Sequence, residues 1–539
     1  MDGSHKNDQI WDDVGYARRY TADKAVWDQK FSSLDQESRC LLGVLSFLST
    51  GSIGTKVLMA KTERDFPEHM ALFVPGNTVL ASAIAKLVAE HLVDARDKPY
   101  AQITVPKVIR ALFKELLTEA GRVDAFNNAV ALVLQLFPTE DAMAAKLNIL
   151  DRWLMCLPYF GFFSSLTGFF EDELTRSAHF KASWQFCELL NRMQRLFSDM
   201  NDLQQCEKAC STNLLALDQL EPGPRKEDLK ATIISHQAQT AESSGDAQRA
   251  IQLNIESYKI RLAEQPKKTD LLCYTAANLG YTYSSAGNQE SALESFKEAR
   301  EWWGDDKSDY PLNILVNEAR CYLLLGDYDR AAELLSRVTA PANIAKDANL
   351  AAIAFGHFAM GLLYERQKDF ELAKGKYSKA QNVWSGGRLD NPHLFLGACM
   401  YRMGVISLNQ HDPKSAIKHI KESMSITSSQ ERYKNMPANH ARNLFKLSQA
   451  LALGNDDPEV IKGAKARRDE AETLLRNNIH MLQIAIRMRH MISSSRSFGG
   501  KGVSEYTRDI LLLLQWFLYV PYQPKYVVRL INHFGQTMR

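Results

Sequence analysis

The residue types that could do covalent or metal chemistry are present, but they never stand in a working constellation. Eight cysteines (Cys40, Cys156, Cys187, Cys206, Cys210, Cys273, Cys321 and Cys399) are scattered through apolar helical patterns. Cys206 and Cys210 are one helical turn apart and could form half of a metal site. No second Cys or His pair follows at zinc spacing, so buried reduced thiols are the better reading. The 13 histidines include no HExxH. A phosphate loop needs G-x-x-x-x-G-K-[ST], whose backbone N–H groups cradle phosphates while the lysine and hydroxyl serve phosphate and Mg²⁺. Gly51-Ser52-Ile53-Gly54-Thr55-Lys56 lacks that order, and Gly499-Gly500-Lys501-Gly502 follows a Ser/Arg loop rather than a strand. Both read as loop glycines. No catalytic, cofactor-binding or metal-ligating residue is assigned, no cofactor is expected, and the expectation is a protein that is not an enzyme.

The elements behind these residues are helices. The chain has 539 residues, enough for three to four domains or one long array. Hydrophobic residues make up 45% and charged residues 24%, which excludes wholesale disorder. The net charge of +2 is too balanced for a protein living mainly on nucleic-acid phosphates. The first residues, MDGSHKNDQIWDD, show no apolar secretory segment. The longest apolar runs, Tyr159 to Phe170 and Ile510 to Val520, are about half the roughly 20 residues that span a bilayer. With only 17 prolines and 28 glycines, the expectation is a cytoplasmic, mostly helical protein without a transmembrane segment.

The second half repeats itself. Leu279-Gly280, Tyr283, Gly287, Ala292, Phe296 and Ala299 form the clearest unit. The same grammar returns as Ala319, Tyr322, Gly326, Tyr328, Ala331 and Leu335, then as Gly361, Tyr364, Phe370, Ala373, Tyr377 and Ala380. A fourth copy has Gly404, Ala416 and Ile420, with His411-Asp412 at the turn. Weaker copies flank these: one around Gln194, Asn201-Asp202 and Cys206, one with Ala238, Gly245 and Ala250, and one with Leu447-Ser448 and Gly454. Equivalent residues 194, 238, 280, 319, 361, 404 and 448 are 44, 42, 39, 42, 43 and 44 apart. Each unit predicts two amphipathic helices around a G-[ND]-x-x-x-A turn, where glycine tolerates the chain reversal. One hairpin cannot bury both its faces, so hairpins must stack.

These residues resemble the tetratricopeptide repeat (TPR) over roughly residues 181–480, in a longer form similar to the repeats of kinesin light chains and of fungal signalling receptors. The N-terminal third follows another order. Val26-Trp27-Asp28 opens a helix ending near Leu34, and Asp35 caps a second with Leu41, Leu42, Leu45 and Leu48 on one face. A Gly/Ser turn over Ser49 to Gly54, a short helix and a helix from Thr78 to Leu92 follow. Residues 92–98 and 101–105 then read as two short strands around a polar turn. Helix, helix, helix, hairpin is the order of a winged helix. Trp27, Leu34, Leu41-Leu42 and Ser46-Phe47-Leu48 resemble the segment that follows the nucleotide-binding module in fungal NB-ARC/tetratricopeptide receptors of the STAND class.

The resemblance implies an all-α chain with a winged-helix-like N-terminal domain and a TPR-type solenoid, a right-handed superhelix. The expected division is a flexible 1–20, a winged-helix-like domain at 21–120, connecting helices at 121–180, about seven repeats over 181–480, and a cap and tail at 481–539. It also implies that first helices line a concave groove, with Asn278, Tyr281, Asn317, Arg320, Arg402, Arg442 and Lys446 facing inward. Asparagine there can bond both groups of an extended peptide backbone, and arginine favours acidic side chains or a terminal carboxylate. The expected partner is a protein or peptide, or a second copy of the chain, and not nucleic acid. The family's upstream P-loop module is not seen, so this is either a receptor-like protein without its motor or a piece starting inside the family's domain order.

Residues 460–539 carry 13 Lys/Arg against 5 Asp/Glu. The basic amphipathic stretch Lys462 to Arg489, with Leu475, Ile479, Leu482 and Ile486, suits an acidic partner or an anionic membrane but reads better as the solvated cap of a solenoid. Ser493 to Gly502 reads as a linker, and Ile510 to Val520 as a closing helix or a docking segment. Two further readings remain open. One is a transcriptional regulator with its winged helix on DNA, disfavoured because the candidate recognition helix Thr78 to Leu92 carries only Lys86 set against Glu90. The other is a kinesin-light-chain-like cargo adaptor, disfavoured because no sustained heptad appears.

Overall fold

The computed structural model describes residues 24–48, 51–59, 68–74, 78–96, 102–138, 154–177, 180–304, 310–345, 349–386, 393–429, 437–453 and 455–477. The expectations for 1–20, Ser493 to Gly502 and Ile510 to Val520 lie outside them, as does the basic stretch beyond residue 477. The described residues divide into two compact units: one from residues up to 138, 156–190 and 215–220, and one from 154–155, 191–214 and 221 onward.

The first unit begins with α1 (Lys24–Ser32) and α2 (Gln36–Leu48). Asp35 caps α2 as its sequence predicts, its Oδ1 accepting from the Ser38 N–H at 2.7 Å. Leu41 through Leu48 are all buried, not only the four leucines of one stripe. The reason is that α3 (Val79–Ala89), α4 (Lys107–Leu116), α5 (Glu119–Leu136) and α6 (Phe160–Arg176) all pack against α2, covering every face of its second half, while Gln36, Glu37 and Arg39 in its first turn stay exposed. Lys86 pairs with Asp35 at 2.7 Å, which ties α3 to the start of α2. Phe47, Phe126, Phe170, Phe180 and Phe186 form an aromatic core at centroid distances of 5.0 to 6.3 Å.

The expected hairpin is present as β2 (Asp94–Arg96) against β3 (Gln102–Thr104), antiparallel, with Ala95 opposite Ile103. A third strand departs from the sequence reading. Ile53 and Gly54, taken as part of a Gly/Ser turn, form β1 on the other side of β3, giving the order β1-β3-β2. Ile53 is buried there and supplies an apolar anchor inside an otherwise polar stretch.

Helical hairpins follow. The pairs are α7 (Trp184–Asp199) with α8 (Leu203–Asp218), α9 (Pro224–Ser243) with α10 (Ala247–Ala263), α11 (Thr269–Ser285) with α12 (Gln289–Trp303), and α13 (Leu312–Leu325) with α14 (Tyr328–Val338). After the short α15 (Pro341–Ala345) come α16 (Leu350–Arg366) with α17 (Phe370–Ser385), α18 (Leu394–Asn409) with α19 (Pro413–Ser429), and α20 (Pro437–Ala452) with α21 (Pro458–Asn477). Residues 191–214 of α7 and α8 belong to the second unit and their outer ends to the first.

One turn is built six times. The N–H groups of Asp202, Asp246, Asn288, Asp327, Asp369 and Asp412 donate to the carbonyls five residues earlier at 2.8 to 3.0 Å. The residue before each has positive φ: Asn201, Gly245, Gly287, Gly326, Lys368 and His411. Each Asp or Asn then caps the next helix, its side chain accepting an N–H three residues on at 3.0 to 3.4 Å. This is a left-handed C-cap fused to an N-cap, so one dipeptide ends a helix and starts its partner. The seventh pair breaks the pattern. Its cap is Asp457, which accepts the Glu459 N–H at 2.9 Å, and Gly454 lies outside the described residues.

Within pairs, small residues allow close approach. A β-carbon on Gly280 would stand 3.0 Å from the Ala292 carbonyl and the Phe296 ring, and one on Gly404 would stand 2.7 Å from Ile420. Ala276, Ala292, Phe296 and Ala299 form one buried cluster, with Tyr283 packed against it. The equivalent Ala319, Ala331 and Leu335 form another with Tyr322 and Tyr328.

Candidate functional site

The six turns give a common ruler for the first helix of each pair. Asn278, Asn317 and Arg402 each lie ten residues before the turn Asp or Asn, Tyr281 and Arg320 lie seven before it, and Glu242 and Glu365 four before it. Equivalent places on stacked helices are neighbours, so these side chains meet from one repeat to the next.

Asn278 is exposed on α11, and its Nδ2 donates to Ser235 Oγ on α9 at 3.2 Å. Asn317 is half-buried on α13, its Oδ1 accepting from the Arg320 guanidinium at 3.1 Å. That guanidinium lies over the half-buried Tyr281 ring, 4.9 Å from its centroid. Glu242 sits behind them, 3% exposed, accepting from Thr282 Oγ1 at 3.2 Å. Thr282 in turn accepts from Asn254 Nδ2 at 2.9 Å. Burial pushes the Glu242 carboxyl up to about 8, against smaller pulls from Ser285, Arg320 and Thr282. The same burial raises the Tyr281 phenol, helped by Glu242. The cluster can therefore change charge near neutrality through Glu242.

The second cluster lies on α16, α18 and α20. Arg402 is 2% exposed and pairs with Glu365 Oε2 at 2.8 Å. Its Nε donates to the Tyr377 hydroxyl at 3.2 Å, which donates to Glu365 Oε2 at 3.0 Å. Arg402 thus closes a three-membered ring of bonds inside the wall rather than presenting its fork to a ligand. Arg442 lies over the Tyr401 ring, 4.5 Å from the centroid, and is 8% exposed. Lys446, one turn further along α20, donates to Gln449 Oε1 at 2.9 Å and is 9% exposed. Burial, then the neighbouring Arg402 charge, lowers Lys446 to about 8, while Glu365 pulls it back up. Burial lowers Arg442 to about 10, with Tyr401 opposing and Arg402 adding to the fall.

The structure therefore brings Asn278, Tyr281, Asn317 and Arg320 together along α11 and α13, and Arg402, Arg442 and Lys446 together along α18 and α20. Sequence reasoning missed the two acids, Glu242 and Glu365. Their signal was a charged residue four before the turn, where Ser198, Ser284, Leu323 and Leu408 stand in other copies.

Seven of the eight cysteines are buried free thiols and Cys40 is half-buried. Cys206 and Cys210 point at the carbonyls of Gln194 and Ile233 at 3.5 and 3.9 Å. Among the described residues no cluster of three or more His, Cys, Asp or Glu could hold a metal, and no helix is long and apolar enough to cross a membrane.

Residues 269–340, the two pairs α11 to α14, match the tetratricopeptide repeat family model. No curated relative matches the sequence. Several solved structures are distantly similar. The quorum sensor NprR in complex with its cognate peptide NprX is 14% identical, over 68% of this chain and 98% of that one, with a TM-score of 0.39. A STAND protein with a tetratricopeptide repeat sensor, PH0952 from Pyrococcus horikoshii, is 14% identical, over 85% of this chain and 66% of that one, with a TM-score of 0.37. BtubC from P. vanneervenii is 14% identical, over 56% of this chain and 96% of that one, with a TM-score of 0.27. The described residues are nearly all helical, and residues 269–340 carry tetratricopeptide repeats by the family match.

Proposed function

We propose that the chain is a non-enzymatic interaction protein whose repeat array takes a protein or peptide along the polar row of its first helices. One observation carries the reading. Polar side chains at equivalent places on consecutive first helices are joined into a row, with Asn278 exposed and Asn317, Arg320 and Tyr281 half-buried beside it. A helix that served only to pack would place apolar residues there, as α13 does with Leu315, Ala319 and Leu323 on its buried face. In this reading the repeats stack as a right-handed superhelix, the row lies on its concave side, and Asn278 and Asn317 bond the backbone of an extended ligand.

The N-terminal order, with β1 between α2 and α3 and the β2–β3 hairpin after α3 in one β1-β3-β2 sheet, supports a winged-helix-like module. With the Trp27 to Leu48 resemblance, it favours kinship with the part of NB-ARC/tetratricopeptide receptors that follows the nucleotide module. In that reading the array senses a ligand, the protein acts in the cytoplasm, and nucleic acid is not a partner. α3 carries one cation, and Lys86 is already paired with Asp35.

The test is binding of a random-sequence peptide library to the full chain and to an Asn278→Ala/Asn317→Ala variant. Selected peptides should bind the parent, measured by fluorescence polarisation, and lose at least about tenfold affinity in the variant. A parent that selects no peptide, or a variant that binds the selected peptides equally, overturns the proposal.

A further inference from the structure

The helix face that carries the proposed ligand row changes character along the array. On α11 it is Leu271, Tyr274, Asn278 and Tyr281, and every one of them is exposed or half-buried. The turn-based ruler puts Phe395, Ala398, Arg402 and Val405 at the same places on α18, and all four are buried. On α16 the places of Asn278 and Tyr281 fall to Ala359 and Leu362, which are buried as well. Described neighbours do not account for the difference. The main elements packed on α18 are α17, α19 and α20, and α11 has the matching set in α10, α12 and α13. Leu362 and Val405 lie seven residues before fully described turns, at the ends of their helices remote from the connections 346–348 and 387–392, yet both are 3% exposed. The closed face is also apolar. Phe355 on α16 meets Phe395 on α18 with ring centroids 5.0 Å apart, which joins the two helices into one strip. The charge on that strip, Arg402, is spent on Glu365 at 2.8 Å.

We infer that this strip on α16 and α18 is covered by a segment of the chain itself, the run Ile510 to Val520. The run contains no charged residue, so its burial needs an apolar partner, and the strip needs an apolar cover. It follows the last helical pair: α21 reaches Asn477, and the connection 478–509 spans up to roughly 100 Å when extended. As a helix the run is about 16 Å long, enough to cross two helices whose axes stand about 8–10 Å apart. A second copy would offer the same residues, but the tether presents the chain's own run at a concentration on the order of 1 mM. Docked there, the run fills the groove beyond α13 and leaves the polar row on α11 and α13 open to a partner. The assignment rests on the proposed function for the concave placement of this face, but not for its occupant.

The experiment puts the photo-crosslinking residue p-benzoylphenylalanine into the full chain, in turn at Leu512, Leu513 and Leu514, so that the run is sampled on three sides. After irradiation at micromolar concentration, peptide mapping by mass spectrometry should find same-chain crosslinks to residues 352–362 or 395–405. Crosslinks between two copies, or to other segments alone, overturn the assignment. A second measurement uses Val405→Cys, which places a thiol under the cover. Its labelling by a maleimide should be slow and should rise at least about tenfold when Leu513→Asp and Leu514→Asp are added, as the cover is lost. A variant damaged in folding would label the seven buried native thiols too, and the crosslinks then decide. A labelling rate at this position that does not change with the two aspartates, in a folded variant, overturns the assignment. Peptides that need Asn278 and Asn317, with the crosslinks elsewhere, would leave the proposed function standing and this occupant refuted. Crosslinks to the strip in a protein that selects no peptide would do the reverse.

Discussion

Gly361 on α16 lies directly under the ring of Tyr377 on α17. A β-carbon at Gly361 would come within 2.6 Å of the Tyr377 Cε1. The ring cannot slide away freely, because its hydroxyl is held between Glu365 and Arg402. Gly361→Ala should therefore cost about 1–3 kcal/mol by overpacking. Gly375→Ala, on the exposed face of α17 with open space around it, should instead add about 0.5–1 kcal/mol from helix propensity. Urea unfolding of the two variants checks both signs. Equal effects would mean that the helices separate to admit the methyl group.

The six turns are not equally relaxed. Gly245, Gly287 and Gly326 take positive φ without strain, whereas Lys368 and His411 do so at 63° and 58° with a β-carbon present. A left-handed residue other than glycine costs roughly 1–2 kcal/mol. Lys368→Gly and His411→Gly should raise the melting temperature and Gly287→Ala should lower it. The net gain is expected to be about 0.5–1 kcal/mol, since glycine also loosens the unfolded chain. A loss on placing glycine at 368 would show that the lysine side chain itself holds the turn.

Glu242 predicts how stability depends on pH. Its folded value, up to about 8, lies above the ordinary 4.5, so between these two the folded state holds a proton that the unfolded state has released. Stability should thus fall as pH rises from about 5 to 8, through the contribution of this one group. Glu242→Gln keeps the shape and cannot ionise, and its melting temperature relative to the parent should climb across that window. The facing groups are Thr282, Ser285, Tyr281 and Arg320. A constant difference between the two proteins from pH 5 to 8 would show that Arg320 already keeps the carboxylate charged.

The Glu365–Arg402 pair is buried on both sides. Glu365→Met should cost about 3–5 kcal/mol, because it strands Arg402 beside Arg442 and Lys446. Glu365→Met with Arg402→Met should recover most of that loss, since two matched apolar side chains replace two matched charges. A double-mutant cycle by chemical denaturation measures the coupling. Additive losses would mean the pair acts as two independent groups.

The repeats were legible in the sequence because each is specified locally. A left-handed residue followed by Asp or Asn ends one helix and caps the next within a few residues, and the spacing of small residues marks where those helices touch. The spacings 44, 42, 39, 42 and 43 read along the sequence are the spacings of the turns from Asp202 to Asp412. The β2–β3 hairpin was legible for the same reason, being two alternating segments around a polar turn. β1 was not, because a two-residue strand at Ile53 and Gly54 exists only where β3 offers it an edge. The same limit governs the polar residues. Asn278 and Arg402 hold equivalent places on the ruler, yet one is exposed and the other is 2% exposed. Both follow a repeat with an acid four before its turn, and what separates them is the bond each makes: Arg402 is charged and pairs with the buried Glu365, whereas Asn278 bonds Ser235 and stays at the surface. Periodicity fixes which face of a helix a residue occupies. Whether its charge is spent inside the wall or left for a ligand depends on partners some 40 residues away, and only the stacked structure sets those side by side.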